Sequence, residues 1–161
     1  MSYDLKRFID DCRGTLKRDP GPAGRETIRK LLERLLREKD FLAAHCSDSM
    51  PKGLYVLHDD AELGFQILAH INEKARGSPP HDHGASWAIY GQAQGETVMS
   101  DWTLLQAAAE NKPGKVRLAR TYTLKPGMAH VYNEGDLHSP RREGPTQLIR
   151  LEGTNMDRIK R

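Results

Sequence analysis

The chain has 161 residues, of which 25 are Lys or Arg and 22 are Asp or Glu, so its formal net charge is +3. This length predicts one compact domain that buries a core of its own. The small and dispersed excess of positive charge argues against a nucleic-acid-binding protein, and no apolar run is long enough to span a membrane.

The start of the chain predicts two amphipathic helices. Apolar residues recur at helical spacing over positions 3–17, and a longer stripe covers about positions 25–44, with the Pro- and Gly-rich stretch 19–24 between them. Charges are scattered through the first twenty positions, so we expect no secretory signal and a cytoplasmic protein. Cys12 and Cys46 lack the spacing of a metal site and are expected to be buried, reduced thiols. Residues 1–48 are therefore predicted to be a helical preface made of packing elements.

From position 49 to the end, the pattern is that of short strands separated by turns that contain Gly or Pro. We predict strands at 54–57, 65–72, 85–90, 96–105, 116–124, 129–132 and 147–151. This pattern indicates an all-β sandwich or barrel over residues 49–161. Alternation along the second strand puts His70 on the face opposite Phe65, toward whatever space the sheets enclose.

A His-x-His pair, His81 and His83, stands out in the middle of the chain, and a further histidine, His138, follows much later. In an extended strand the side chains of residues two apart point to the same side, so His81 and His83 would share a pocket. Imidazole is the commonest metal ligand at neutral pH and binds iron, copper, nickel or zinc. On these residues alone, a metal site and two exposed loop histidines are equally good interpretations.

The two histidine segments together resemble the two motifs of the cupin superfamily. The first cupin motif has a His-x-His pair, a glutamate and a glycine, and it resembles the stretch from His81 and His83 through Ala88 to Gly95. Ala88 stands where that family has a metal-binding glutamate. The resemblance implies the cupin double-stranded β-helix, a jelly-roll barrel, here preceded by two α-helices.

The second motif begins at a glycine and ends on a histidine and an asparagine. It resembles the stretch from Gly127 to Arg142, with Asn133 in place of a proline and Arg142 in place of the asparagine. In this register His138 takes the place of the family's third metal ligand. His130 falls inside a strand and is predicted to be packed or exposed there.

A three-histidine site with a His-Asp-His-Gly start resembles the thiol dioxygenases, of which the cysteine dioxygenases are the best-known members. The resemblance implies Fe(2+) held by His81, His83 and His138, with a small substrate and O2 bound together. Some of those enzymes crosslink a cysteine at the position of Ala88 to a tyrosine, which this chain cannot do. Their Ser-x-His-x-Tyr strand corresponds to 148–152 here, where all three polar residues differ, so cysteine itself is a poor candidate substrate.

The residues that replace this triad suggest how a substrate is held. By alternation Leu148, Arg150 and Glu152 face the metal, so Arg150 would bind an anionic group, while Glu152 would act as a base or neutralise Arg150. Tyr90 has the same parity as Ala88 and is a further candidate catalytic residue. A structural ion pair between Arg150 and Glu152 is the competing interpretation.

The sequence therefore predicts a non-haem Fe(2+) dioxygenase that acts on a small, polar, metal-chelating substrate. Two alternatives stay open: a non-redox cupin isomerase, lyase or hydrolase that uses Zn, Ni or Mn as a Lewis acid, and a cupin that binds a ligand without turning it over. An uncovered sheet edge would also permit a homodimer.

Overall fold

Three helices open the part of the chain that the computed structural model describes, which is residues 3–82, 84, 86–107 and 109–154. The helices are α1 (Leu5–Arg18), α2 (Pro22–Leu35) and α3 (Lys39–His45). The side chain of Asp4 caps α1 by accepting a hydrogen bond from the backbone N–H of Arg7. Proline at the first position of α2 fits there because that N–H has no partner within a helix. None of the described helices is long and apolar enough to cross a membrane.

The prediction of a single second helix over 25–44 is wrong, because the chain leaves the helix after Leu35 and starts a new one at Lys39. Leu35, Leu36 and Phe41 are all buried in one core. Six residues of a straight helix turn through about 600°, so the side chains at 35 and 41 would point about 120° apart. The break returns Phe41 to the core, and the helical preface has three helices where two were predicted.

Nine strands lie in the described ranges and form two antiparallel sheets. The strands are β1 (Gly53–Asp59), β2 (Gln66–Asn72), β3 (Arg76–Gly77), β4 (Ala88–Gln94), β5 (Thr97–Gln106), β6 (Lys115–Leu124), β7 (Ala129–Tyr132), β8 (Leu137–Arg142) and β9 (Thr146–Glu152). One sheet has the order β1-β2-β9-β4-β7, and the other has the order β3-β8-β5-β6. This is the predicted jelly-roll barrel, although β3 and β8 were not predicted as strands.

The helices pack against the five-stranded sheet, and the two sheets pack against each other. One core joins apolar residues of the helices to β2, β4, β7 and β9, and it includes Phe8, Leu32, Ile67, Ile89 and Ile149. A second cluster lies between the sheets and consists of Ala88, Tyr90, Met99, Leu124 and Tyr132. The position of Ala88 in this cluster places the first histidine motif beside the interior of the barrel.

Both cysteines are buried, as predicted, and no disulfide joins them. Burial raises the pKa of the Cys46 thiol to about 12 and raises that of Cys12 as well. Both side chains are therefore protonated at neutral pH and act as small apolar core residues.

The glycines of the two motifs have positive φ angles, but their surroundings differ. Gly95 has φ +72°, and a Cβ atom there would collide with the carbonyl oxygen of Pro145. Gly127 has φ +92°, and apart from its two chain neighbours no described residue has an atom within 4 Å of its Cβ position. Left-handed backbone costs about 1–2 kcal/mol for a residue with a side chain. We therefore expect Gly127→Ala to lose about that much free energy of unfolding, and Gly95→Ala to lose about 1–3 kcal/mol more because of the collision.

Urea unfolding of the two glycine variants beside the unmodified protein measures this difference. Equal losses for the two variants would show that the close approach at Gly95 is absent.

Candidate metal centre and adjoining cavity

His81 and His138 are brought together by backbone pairing. The N–H of His81 donates to the carbonyl of His138 at 3.0 Å, and the N–H of His138 donates to the carbonyl of His81 at 2.9 Å. Residues paired in this way on antiparallel strands project their side chains from the same face. The two imidazole rings accordingly lie with their centroids 4.7 Å apart and their planes at 59°. His81 is half-buried and His138 is fully buried.

Both rings are held in the same tautomer. Nδ1 of His81 lies 2.9 Å from the carbonyl oxygen of Pro79, and Nδ1 of His138 lies 3.0 Å from that of Asp136. A carbonyl only accepts, so each Nδ1 carries the proton and each Nε2 carries the lone pair. Metal-binding histidines usually donate their other N–H to such a backbone carbonyl. Burial lowers the pKa of His138 to about 4, so this ring is neutral at neutral pH, which is the form that binds a metal.

Two of the three predicted metal ligands, His81 and His138, lie within the described residues and close to each other. His83, the third predicted ligand, lies outside the described residues, and within the described ranges no group of three or more His, Cys, Asp or Glu could hold a metal. Ala88 is fully buried against Tyr90 and Tyr132, so the position of the family's glutamate is apolar here. The three-histidine set therefore remains a prediction, in which His81 and His138 have compatible positions and tautomers.

The ring of Tyr132 packs against the rings of both His138 and His130. The Tyr132 ring is 4.2 Å from that of His138 and 4.8 Å from that of His130, measured between centroids. His130 also lies against Tyr122 at 4.8 Å and near the guanidinium of Arg120, at 3.3 Å. His130 is therefore a packed strand histidine, as predicted, whereas the role of His138 as a metal ligand stays a prediction.

The helical preface supports the turn that precedes His138. Arg25 of α2 donates to the side-chain oxygen of Asn133 at 3.0 Å and binds both carboxylate oxygens of Glu134, at 2.6 and 2.9 Å. The same turn supplies the Asp136 carbonyl that orients His138. The sequence predicted only a packing role for this helix. No local pattern could reveal the contact, because Arg25 is 108 and 109 positions from its two partners.

A cavity of about 260 Å³ lies between the two sheets beside His81. Water occupies about 30 Å³ per molecule in the liquid, so this space equals roughly nine waters and suits a small metabolite. Its lining includes His70, Arg76, His81, Tyr90, Arg142 and Arg150. The cavity is therefore rich in positive charge.

The predicted catalytic residues lie at one wall of this cavity. Arg150 and Tyr90 are directly opposite each other on β9 and β4, and both line the cavity. Arg150 Nε lies 3.2 Å from a carboxylate oxygen of the buried Glu152. Burial raises the pKa of Tyr90, although the charge of Arg150 opposes this, so the phenol is a hydrogen-bond donor at neutral pH. The ion pair of the competing interpretation is present, and the catalytic roles of all three residues remain predictions.

Three further residues line the cavity, namely His70, Arg76 and Arg142. Arg76 and Arg142 were missed, although alternation from His138 through Pro140 reaches Arg142 on the inward face of β8. His70 lines the cavity, as its predicted face suggested. Burial, followed by the charges of neighbouring arginines, lowers the pKa of His70 to about 4, so it is neutral at neutral pH.

Comparison with known proteins adds a likeness of fold. No family model matches the chain, and no curated protein matches it. Similar solved structures include KdgF from Halomonas sp., with 16% identity, a TM-score of 0.49 and coverage of 70% of this chain and 91% of that one. A cupin superfamily protein from Desulfitobacterium hafniense has 11% identity, a TM-score of 0.45 and coverage of 68% and 84%. A recombinant oxalate oxidase in complex with glycolate has 17% identity, a TM-score of 0.44 and coverage of 66% and 53%. Likenesses at this level leave the activity to be argued from the residues of this chain.

Proposed function

We propose that this protein is a metal-dependent dioxygenase with a cupin fold, in which His81, His83 and His138 hold Fe(2+) beside a cavity for a small anionic substrate. Ferrous iron, when bound, would bring substrate and dioxygen together and supply the oxidising chemistry. The proposal names a class of substrate that chelates the metal and carries at least one negative charge, and it excludes cysteine as the preferred substrate.

The observation that supports the proposal is the position of the His81–His138 pair at the edge of a positively charged cavity. Two backbone hydrogen bonds hold the pair, and a carbonyl orients each ring so that the lone pair is on Nε2. Ala88 adds no carboxylate to the ligand set. Two or three neutral imidazoles would leave the charge of a divalent ion undiminished, which favours anionic substrates.

In this proposal each residue of the cavity wall has a different role in binding the substrate. Arg150 binds an anionic group of the substrate through its planar guanidinium, and Glu152 fixes the direction of that guanidinium. Tyr90, kept protonated by burial, donates a hydrogen bond from its hydroxyl to a substrate oxygen. The apolar cluster of Ala88, Met99 and Leu124 behind this wall excludes water from one side of the site.

Metal analysis and oxygen consumption test the proposal directly. Protein purified without chelators, or metal-free protein reloaded with Fe(2+), is expected to hold about one iron per chain through its histidines. It should consume oxygen when mixed with one of a panel of small chelating acids, such as thiols, diketones and hydroxyaromatic acids. Mass spectrometry should then find an oxygenated product.

Zinc-, nickel- and manganese-loaded protein are the matched comparisons. Turnover by zinc-loaded protein without oxygen would overturn the dioxygenase proposal and support the non-redox alternative. Failure to bind iron, together with no oxygen uptake across the panel, would also overturn it.

A further inference from the structure

The cavity wall carries three arginines from three different strands. Arg76 lies on β3, Arg142 on β8 and Arg150 on β9, and all three line the same cavity of about 260 Å³. Arg76 and Arg142 are directly opposite each other in the β3·β8 pairing. Like charges at directly opposed positions repel each other and destabilise the sheet. Because this arrangement destabilises the sheet, it suggests that the charges serve to bind an anionic ligand.

Arg142 is the most unusual of the three, because it is 6% exposed and has no acidic partner within the described ranges. Its Nε donates to the hydroxyl oxygen of Thr97 at 3.2 Å, and that hydroxyl donates to the side chain of Gln92 at 2.9 Å. Burial and then the charges of Arg76 and Arg150 lower the pKa of Arg142. Arginine does not lose its proton in proteins, so the charge persists at a cost in stability.

Arg150 differs because Glu152 compensates its charge at 3.2 Å. Three arginines therefore line this wall, and Glu152 beside it compensates only one of them, which leaves an excess of two positive charges among the described residues. His70 is neutral and adds a donor without adding charge. A ligand with two negative charges would balance this wall, whereas a monoanion would leave one charge uncompensated.

We propose that Arg142 and Arg76 form a second anion-binding subsite, so that the cavity accepts a small molecule with two anionic groups, one at Arg150 and one at the Arg76–Arg142 pair. The groups are carboxylates, because two of them carry the two negative charges that balance the wall and the guanidinium fork binds a carboxylate in a bidentate manner. This inference deepens the proposed function by naming the substrate class of the same site. It concerns residues of the cavity wall and can be tested without metal.

Binding of simple dicarboxylates to the metal-free, 161-residue protein tests the inference. Malonate, succinate and glutarate are titrated by calorimetry, with acetate as the monoanion and sodium chloride to keep ionic strength constant. At least one dianion is expected to bind saturably, and about tenfold or more tighter than acetate, because it forms a second charged hydrogen-bonded pair. Added salt should weaken this binding.

Three variants locate the subsite. Arg142→Gln should weaken dianion binding by about tenfold or more, and Arg76→Gln should weaken it by a smaller factor, since Arg76 is more exposed. Arg141→Gln is the matched control, because Arg141 is the next residue of β8, is 68% exposed and pairs with Glu143 at 3.0 Å. It should bind dianions like the unmodified protein.

The inference is overturned if Arg142→Gln binds dianions as tightly as the unmodified protein, or if acetate binds as tightly as every dianion. It is also overturned if no dianion binds to either metal-free or iron-loaded protein. If Arg142→Gln does not fold, Arg76→Gln decides the question, and unchanged binding by that variant counts against the subsite. Dianion binding by a protein that takes up no iron would count only against the proposed function, and iron uptake without dianion binding only against this inference.

Discussion

Replacing His138 with alanine is expected to abolish stoichiometric metal binding, whereas replacing His130 should leave it intact. His138 pairs with His81 through two backbone hydrogen bonds, and its ring is oriented by the carbonyl of Asp136. His130 lies on β7, with its ring against those of Tyr122 and Tyr132. Loss of residues that merely orient a ligand lowers metal affinity 10- to 100-fold, so loss of the ligand itself should lower it by more than about a hundredfold.

Metal affinity is measured by titrating metal-free protein with Fe(2+) in competition with a chromogenic chelator, without oxygen. Circular dichroism of each variant checks that it is folded, because His138 is fully buried and its truncation leaves a cavity. If His130→Ala lost the metal and His138→Ala kept it, the assignment of the second cupin motif would be wrong.

Leu32→Ala is expected to lower the free energy of unfolding of the whole protein by about 2–5 kcal/mol, the usual cost of truncating a buried leucine. Leu32 of α2 is fully buried, and its Cδ2 lies 2.8 Å from where a Cβ atom on Gly91 would be. The side chain therefore fills the space that a glycine leaves on the outer face of β4. Lys30→Ala on the same helix is the control, because Lys30 is exposed and its loss should change stability by less than about 0.5 kcal/mol.

Chemical unfolding monitored by two signals tests whether the helices and the barrel form one cooperative unit. Helical circular dichroism and tryptophan fluorescence should give one coincident transition, shifted by Leu32→Ala to a lower denaturant concentration. If the variant shifted only the helical signal, residues 1–48 would be a separately unfolding unit and not part of one compact domain.

The His81–His138 pair shows how much of the candidate site the sequence pattern could predict. Alternation and turn residues marked seven of the nine described strands, since the two-residue period of side chains is a property of the extended backbone itself. The spacing of the two motifs then favoured His138 over His130, and the structure places His138 against His81. The predicted second helix shows what the pattern could not reveal. Its apolar periodicity continues through the break between α2 and α3, which returns Phe41 to the core.

Residue order and side-chain chemistry were enough to predict the class of fold and the inward direction of Arg150, which the structure shows, and to propose the metal ligands. They could not show that Arg76 lies opposite Arg142, that Arg142 is buried with no acidic partner in the described ranges, or that Arg25 holds the turn before His138. The physical reason is that the period of a strand determines which face a side chain occupies but not which strand becomes its neighbour. That choice depends on how both sheets and the helices bury their apolar faces together, and it is made only when the whole chain folds.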